Sequence, residues 1–153
     1  MESEEALAEH LHEVQGITAY PDRIEACIKE GLVEAVLSVL GHPNLDIAQL
    51  CVTLLYELCE EELASSHLDT VKKTIQRYSD NSIWTLLIKV MQSARVEKQQ
   101  KGLMAVSERS EQDLLEQKCL NLLQNVLEIE PELMAAKMMH SDSFIQYLLD
   151  TLD

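Results

Sequence analysis

The chain has 153 residues, 46% of them apolar, with 27 Asp and Glu against 12 Lys and Arg. That length makes one domain with enough apolar material for a core, while 4 Gly and 3 Pro are too few turn residues for an all-β fold. A formal net charge of -15 repels phosphate backbones, which disfavours direct nucleic-acid binding and suits basic partners such as Lys/Arg-rich segments of other proteins.

The predicted elements are all helices, in keeping with a composition led by Leu, Ala, Glu, Lys and Gln. Residues 2–15 form the first, with Ser3 as an N-cap candidate, acids in the opening turn and a thin stripe of Leu7, Leu11 and Val14; Gly16 is expected to end it. Tyr20-Pro21 is a break, since Pro disfavours helix in the residue before it and suits a helix's first turn. A short helix over 22–30 follows, with Ile24, Cys27 and Ile28 inward. Gly31 then leads into an aliphatic helix over 32–40, which stops at Gly41. Asn44 caps the next helix, 45–58, where Ile47, Leu50, Cys51, Leu54, Leu55 and Leu58 recur at offsets of three and four. So wide an apolar stripe must be buried against neighbours.

Glu60-Glu61-Glu62 is expected to continue as solvated helix. Ser65-Ser66 is a cap candidate for a helix running to about Tyr78, with Leu68, Val71 and Ile75 inside. Residues 79–82, Ser-Asp-Asn-Ser, read as a turn and cap, and 83–92 as a strongly apolar helix. Residues 93–112 are highly charged with Gly102 in their middle, so the helix is expected to break or loosen there. From Asp113 a long helix resumes on Leu114, Leu115, Cys119, Leu122, Leu123, Val126 and Leu127. A short helix over 132–139 follows Pro131, and Ser141-Asp142-Ser143 caps a closing helix over 144–152.

Two blocks look alike, one from Pro21 and one from Pro131. Each has Pro, a short helix, a break and a compact aliphatic helix, and residues 83–91 repeat the closing helix again. A recurring long, short and compact helix is the pattern of a solenoid, in which each unit buries its face by stacking on the next. The expected fold is all-α, a single armadillo/HEAT-like right-handed superhelical stack of about seven to nine helices over residues 1–153, with 93–112 as its loosest segment. The stretch Gly31 to Leu58 is then the junction of two units.

Little in the chain points to chemistry. His10 and His12 are two residues apart and face different sides of a helix. His42 is a turn residue or a partner for a neighbouring helix end, and His67 and His140 lie beside Ser at helix boundaries. There is no nucleophile elbow, no Gly-rich phosphate loop and no calcium-loop pattern. The expectation is therefore a non-enzyme without cofactor or metal. Cys27, Cys51, Cys59 and Cys119 form no CxxC and sit in helical patterns, as buried free thiols of a reducing compartment do. The acidic start MESEEALAEH lacks the parts of a signal peptide, and no run reaches the length of a membrane span; the chain is expected in the nucleus or cytoplasm.

In an armadillo stack the third helix of each unit lines the concave side. Its outward polar positions are Glu34 and Ser38, Thr85 and Lys89, and Gln146 and Asp150. With Glu57, Glu60, Glu61 and Glu62 they are the candidate partner-binding residues, the acids pairing with Lys or Arg of a peptide, against the plainer reading of ordinary solvent-facing positions. Trp84 is either a core residue or an exposed recognition aromatic. The closing helix carries an apolar face of Phe144, Ile145, Leu148, Leu149 and Leu152, which lacks the polar outer side of a capping repeat. Further repeats, or self-association through that helix, are expected to cover it.

The residues Leu40-Gly41-His42, Asn44-x-Asp46 and Leu54-Leu55-x-Glu57-Leu58 resemble the first armadillo-type repeat of the β-catenin-like protein 1 family. Asn121 to Glu132 is similar to its next repeat, where a helix ends in an acidic-Pro-Glu turn. The resemblance covers roughly 5–60 and 114–150 and departs over 63–112. It implies a nuclear, non-catalytic scaffold associated with pre-mRNA splicing through the Nineteen complex, binding basic segments of splicing factors. It also implies a fragment or reduced relative, since family members are longer, with more repeats and a basic localisation signal. The alternative is a generic HEAT-type cytosolic scaffold for transport or assembly.

Overall fold

A computed structural model describes residues 2–59, 68–79, 83–100, 106–129, 131–140 and 142–152. They form nine helices and no strand among the described residues: α1 (Glu2–Ile17), α2 (Pro21–Lys29), α3 (Leu32–Val39), α4 (Leu45–Leu58), α5 (Leu68–Ser79), α6 (Ile83–Gln100), α7 (Val106–Ile129), α8 (Pro131–Met139) and α9 (Asp142–Leu152). Among the described residues these group as three units of three helices. In the first and third a long helix leads and two short ones close; α4, α5 and α6 make the middle one. The long helices α1, α4 and α7 pack on one another in that order, and α6 packs on α7 and α9.

Local chemistry sets the boundaries. Pro21 stands at the first turn of α2 after an extended Tyr20, and Pro131 is the first residue of α8. Gly31 sits between α2 and α3 at φ +96, a left-handed conformation that other residues rarely adopt. Asn44 Oδ1 accepts from the Asp46 backbone N–H at 3.0 Å and caps α4. At the opposite ends, α1 runs past Gly16 to Ile17, α6 runs on to Gln100, and α7 begins at Val106. The charged segment 93–112 is thus helical over 93–100 and 106–112, while Gly102, where the break was expected, lies outside the described residues.

The core centres on α4, whose Ile47, Ala48, Cys51, Val52, Leu54, Leu55 and Leu58 are all buried. That is wider than one stripe, as a helix flanked by α1 and α3 on one side and α6 and α7 on the other requires. Leu11, Ile24, Ile28, Val33, Val36, Leu37 and Leu40 complete the first unit's share. Val71, Ile75, Leu87, Ile88 and Met91 come from the second, and Leu115, Cys119, Leu122 and Leu123 from the third. Leu114, expected inside, is 54% exposed. Cys27 is only half-buried. The side chains of Trp84, Val126, Phe144 and Leu152, and the proposed caps at Ser65-Ser66 and Ser141, lie outside the described residues.

Candidate functional site

The three polar pairs picked from the sequence fall on the third helix of each unit. Glu34 is half-buried and Ser38 exposed on α3, Thr85 is half-buried and Lys89 exposed on α6, and Gln146 and Asp150 are exposed on α9. Two of these pairs are already engaged locally. Ser38 Oγ donates to the Ala35 carbonyl at 2.7 Å, and Gln146 Nε2 donates to Asp150 Oδ1 at 2.8 Å. Since α6 packs on α9, the second and third pairs lie on neighbouring helices, whereas α3 packs chiefly on α2, α4 and α5. Glu57 is half-buried and accepts from Gln15 Nε2 at 3.0 Å and Thr18 Oγ1 at 3.4 Å. Its first role is to tie the end of α1 to α4. Glu60, Glu61 and Glu62 lie outside the described residues.

A different acidic feature is formed where α1 crosses the start of α4. Glu4, Glu5 and Asp46 stand around a groove of about 280 Å³ with Ala8, Asn44 and Ile47 in its lining. Glu4 is held in place: its Oε2 accepts from Asn44 Nδ2 at 3.4 Å, and its Oε1 lies 3.9 Å from His42 Nε2. His42 Nδ1 accepts the Asn44 backbone N–H at 3.1 Å, so the imidazole is at once a turn residue and a neighbour of another helix. Glu5 and Asp46 are exposed and point their charge at solvent. Sequence reading assigned the acids of α1 to the helix dipole and missed this groove. The only available signal was Glu4 and Ala8 at a four-residue offset, which places them on one face.

On the other side of the same turn, a second groove of about 330 Å³ runs between the α3–α4 connection and α6. Leu40, Pro43, Leu45, Leu86 and Val90 give it apolar walls, and Lys89 and Ser93 stand in its lining. A Cβ at Gly41 would sit 3.0 Å from Leu86 Cδ2, so Leu86 would have to shift by a few tenths of an ångström to take one. Among the described residues, no group of three or more His, Cys, Asp or Glu is arranged to hold a metal ion, and no helix is long and apolar enough to cross a membrane.

The family model described as catenin-beta-like, Arm-motif containing nuclear, matches residues 1–153. The chain belongs to that family. Comparison with curated proteins and with solved structures finds no match. Membership covers the middle segment 63–112 as well, where the resemblance had lapsed, and it agrees with the three-unit helical stack.

A polar junction ties the third unit of the catenin-beta-like stack to the second. Arg95 of α6 donates through Nε to Glu116 Oε1 of α7 at 3.1 Å, and through Nη2 to the same carboxylate and to Tyr147 Oη of α9 at 2.9 Å. Tyr147 Oη donates to Glu116 Oε1 at 2.5 Å, and the guanidinium lies 4.6 Å from the ring centroid. Burial, with Glu116 beside it, pushes the Tyr147 phenol up to about 12. Burial also pushes the Cys51, Cys59 and Cys119 thiols up to about 12. These are packing residues and not nucleophiles.

All four groups are favoured in their protonated form by folding. The stability they contribute is complete below their unfolded values of 9.0 and 10.0 and is lost as pH rises toward about 12. Urea midpoints are accordingly expected to hold steady between pH 7 and 8.5 and to fall steeply between pH 9 and 11. A midpoint unchanged at pH 11 would contradict the burial of these groups.

Proposed function

We propose that this protein is a non-catalytic scaffold of nuclear assemblies, associated with pre-mRNA splicing, whose acidic surface holds Lys/Arg-rich segments of partner proteins. The observation that supports it is the groove of Glu4, Glu5 and Asp46 over Ala8 and Ile47. Carboxylates at the rim attract an ammonium or guanidinium head, while the apolar floor takes the methylene stem of the same side chain. Net charge adds long-range attraction: residues 1–70 hold 15 acids against Arg23 and Lys29. Glu34, Ser38, Thr85, Lys89, Gln146 and Asp150 of the third helices do not line this groove.

A fluorescent Lys/Arg-rich peptide of about ten residues is expected to bind, with affinity falling as salt rises because exposed charges are screened beyond about 8–10 Å. Reversing two rim charges, Glu5→Lys with Asp46→Lys, should weaken it about tenfold, as exposed pairs are worth roughly 0.2–1 kcal/mol each and reversal adds repulsion. Affinity unchanged in that double variant would remove this groove from the proposal. Pull-down from nuclear extract tests the splicing assignment, and recovery of no splicing factor would sink it.

A further inference from the structure

The two grooves that flank the turn between α3 and α4 differ in charge. Glu4, Glu5 and Asp46 stand around the one toward α1. The one toward α6, of about 330 Å³, has no acid in its lining. Leu40, Ala48 and Val90 are buried and make its floor, continuous with the core, while Leu45 and Leu86 are half-buried walls. Lys89 and Ser93 of α6 are exposed at its rim. Lys89 has no counter-ion there. The positions three and four away on α6 are Thr85, Leu86, Gln92 and Ser93, none of them acidic. Among the described residues Lys89 takes part in no ion pair, whereas Lys29 pairs with Glu25 at 2.7 Å and Arg95 with Glu116. His42, which also lines the groove, is engaged from the α1 side, with Nε2 3.9 Å from Glu4 Oε1.

We propose that this groove docks a short acidic segment of a partner protein, with one aliphatic or aromatic side chain in the groove and a neighbouring Asp or Glu on Lys89. An apolar cleft with a few placed polar groups is the form of a binding site, and this one is at the small end of the usual range, so it takes a side chain and not a folded element. Charge selects the occupant. A carboxylate meets the unpaired ammonium of Lys89 and the hydroxyl of Ser93, whereas a Lys/Arg-rich segment would set its cations against Lys89. The acid excess of the chain falls on residues 1–70, and α6 carries Lys89, Arg95 and Lys98 against Glu97. The wall that meets the carboxylate is therefore not itself acidic. The site does not rest on the reading of the α1–α4 groove as a seat for basic segments.

The test titrates the whole 15N-labelled chain with three short peptides and follows its backbone amides by NMR. One peptide has a Leu flanked by Glu, one the same Leu flanked by Lys, and one a Ser flanked by Glu. The first is expected to shift the amides of Leu45, Leu86, Lys89 and Ser93 and to bind there about tenfold more tightly than the Ser peptide, which lacks the buried side chain. Lys89→Glu, at an exposed position that leaves the fold in place, should weaken the Leu–Glu peptide about fivefold and make the Leu–Lys peptide the better ligand at the same amides. Leu86→Ala should weaken both Leu peptides, with circular dichroism confirming the fold. Glu5→Lys with Asp46→Lys should leave the Leu–Glu peptide in place, which separates this groove from the one toward α1. No shift at the α6 amides with the Leu–Glu peptide would overturn the proposal. So would equal binding of the Leu–Glu and Leu–Lys peptides at those amides, or binding indifferent to Lys89→Glu. A sedimentation dimer that Lys89→Glu turns to monomer would overturn it too, by assigning the groove to a second copy.

Discussion

Leu55→Ala is expected to lower the free energy of unfolding by about 3–5 kcal/mol, the upper part of the range for a buried Leu truncated in a core that cannot collapse around the gap. Leu55 is 0% exposed in the middle of α4, and α4 is packed by helices of all three units. A void there has neighbours on every side and no solvent edge into which they can relax. Against a typical total of about 5–15 kcal/mol, such a loss removes a large part of the stability. Urea unfolding followed by circular dichroism measures it. Leu148→Ala, on the outer side of α9, should shift the same midpoint by less than about 0.5 kcal/mol. Similar losses at the two positions would mean that α4 is not the centre of the stack.

Tyr147 should give the second large effect, of a different kind. Tyr147→Phe removes the hydroxyl that donates to Glu116 and accepts from Arg95 and should cost about 1–2 kcal/mol, while the ring stays seated under the guanidinium. Tyr147→Ala removes the ring as well. Since Tyr147 is the one buried side chain among the described residues of α9, this variant should release the helix, at a cost of about 3–5 kcal/mol to its docking. Hydrogen exchange locates the change. Amides of α9 should lose protection in Tyr147→Ala while those of α4 keep theirs, because a helix with few buried contacts opens locally before the whole domain does. Equal loss of protection across α4 and α9 would show that α9 has no independent opening.

Much of the scaffold was legible because helical periodicity and its punctuation agree. Pro21, Gly31, Asn44 and Pro131 mark real boundaries, and α4 matches its expected span at Leu45–Leu58. The repeat of long and short helices was legible for the same reason, since each unit needs the same breaks. Pattern failed where burial depends on a neighbour. In α9 the aliphatic face was legible, and its Ile145, Leu148 and Leu149 are exposed, but the burial of Tyr147 was not, because its hydroxyl finds a carboxylate and a guanidinium from two other helices. Leu114 also misled, being exposed while the adjacent Leu115 is buried. The acidic groove was invisible because its parts, Glu4 and Asp46, are forty-two positions apart in sequence and meet only when α1 lies across α4. Glu57 was visible as an acid, but its engagement by Gln15 and Thr18 was not.

Stacking α1, α4 and α7 in chain order turns a bias along the sequence into a direction in space. Net charge is -13 over residues 1–70 and -2 over the rest, where nine of the twelve basic residues fall between Lys72 and Lys118. A molecule so built has a large electric dipole from its first unit to its later ones. A basic partner of the kind proposed above would be met with the first unit leading. Such orientation raises the rate of productive encounter more than it lengthens the life of the complex, and added salt removes the gain.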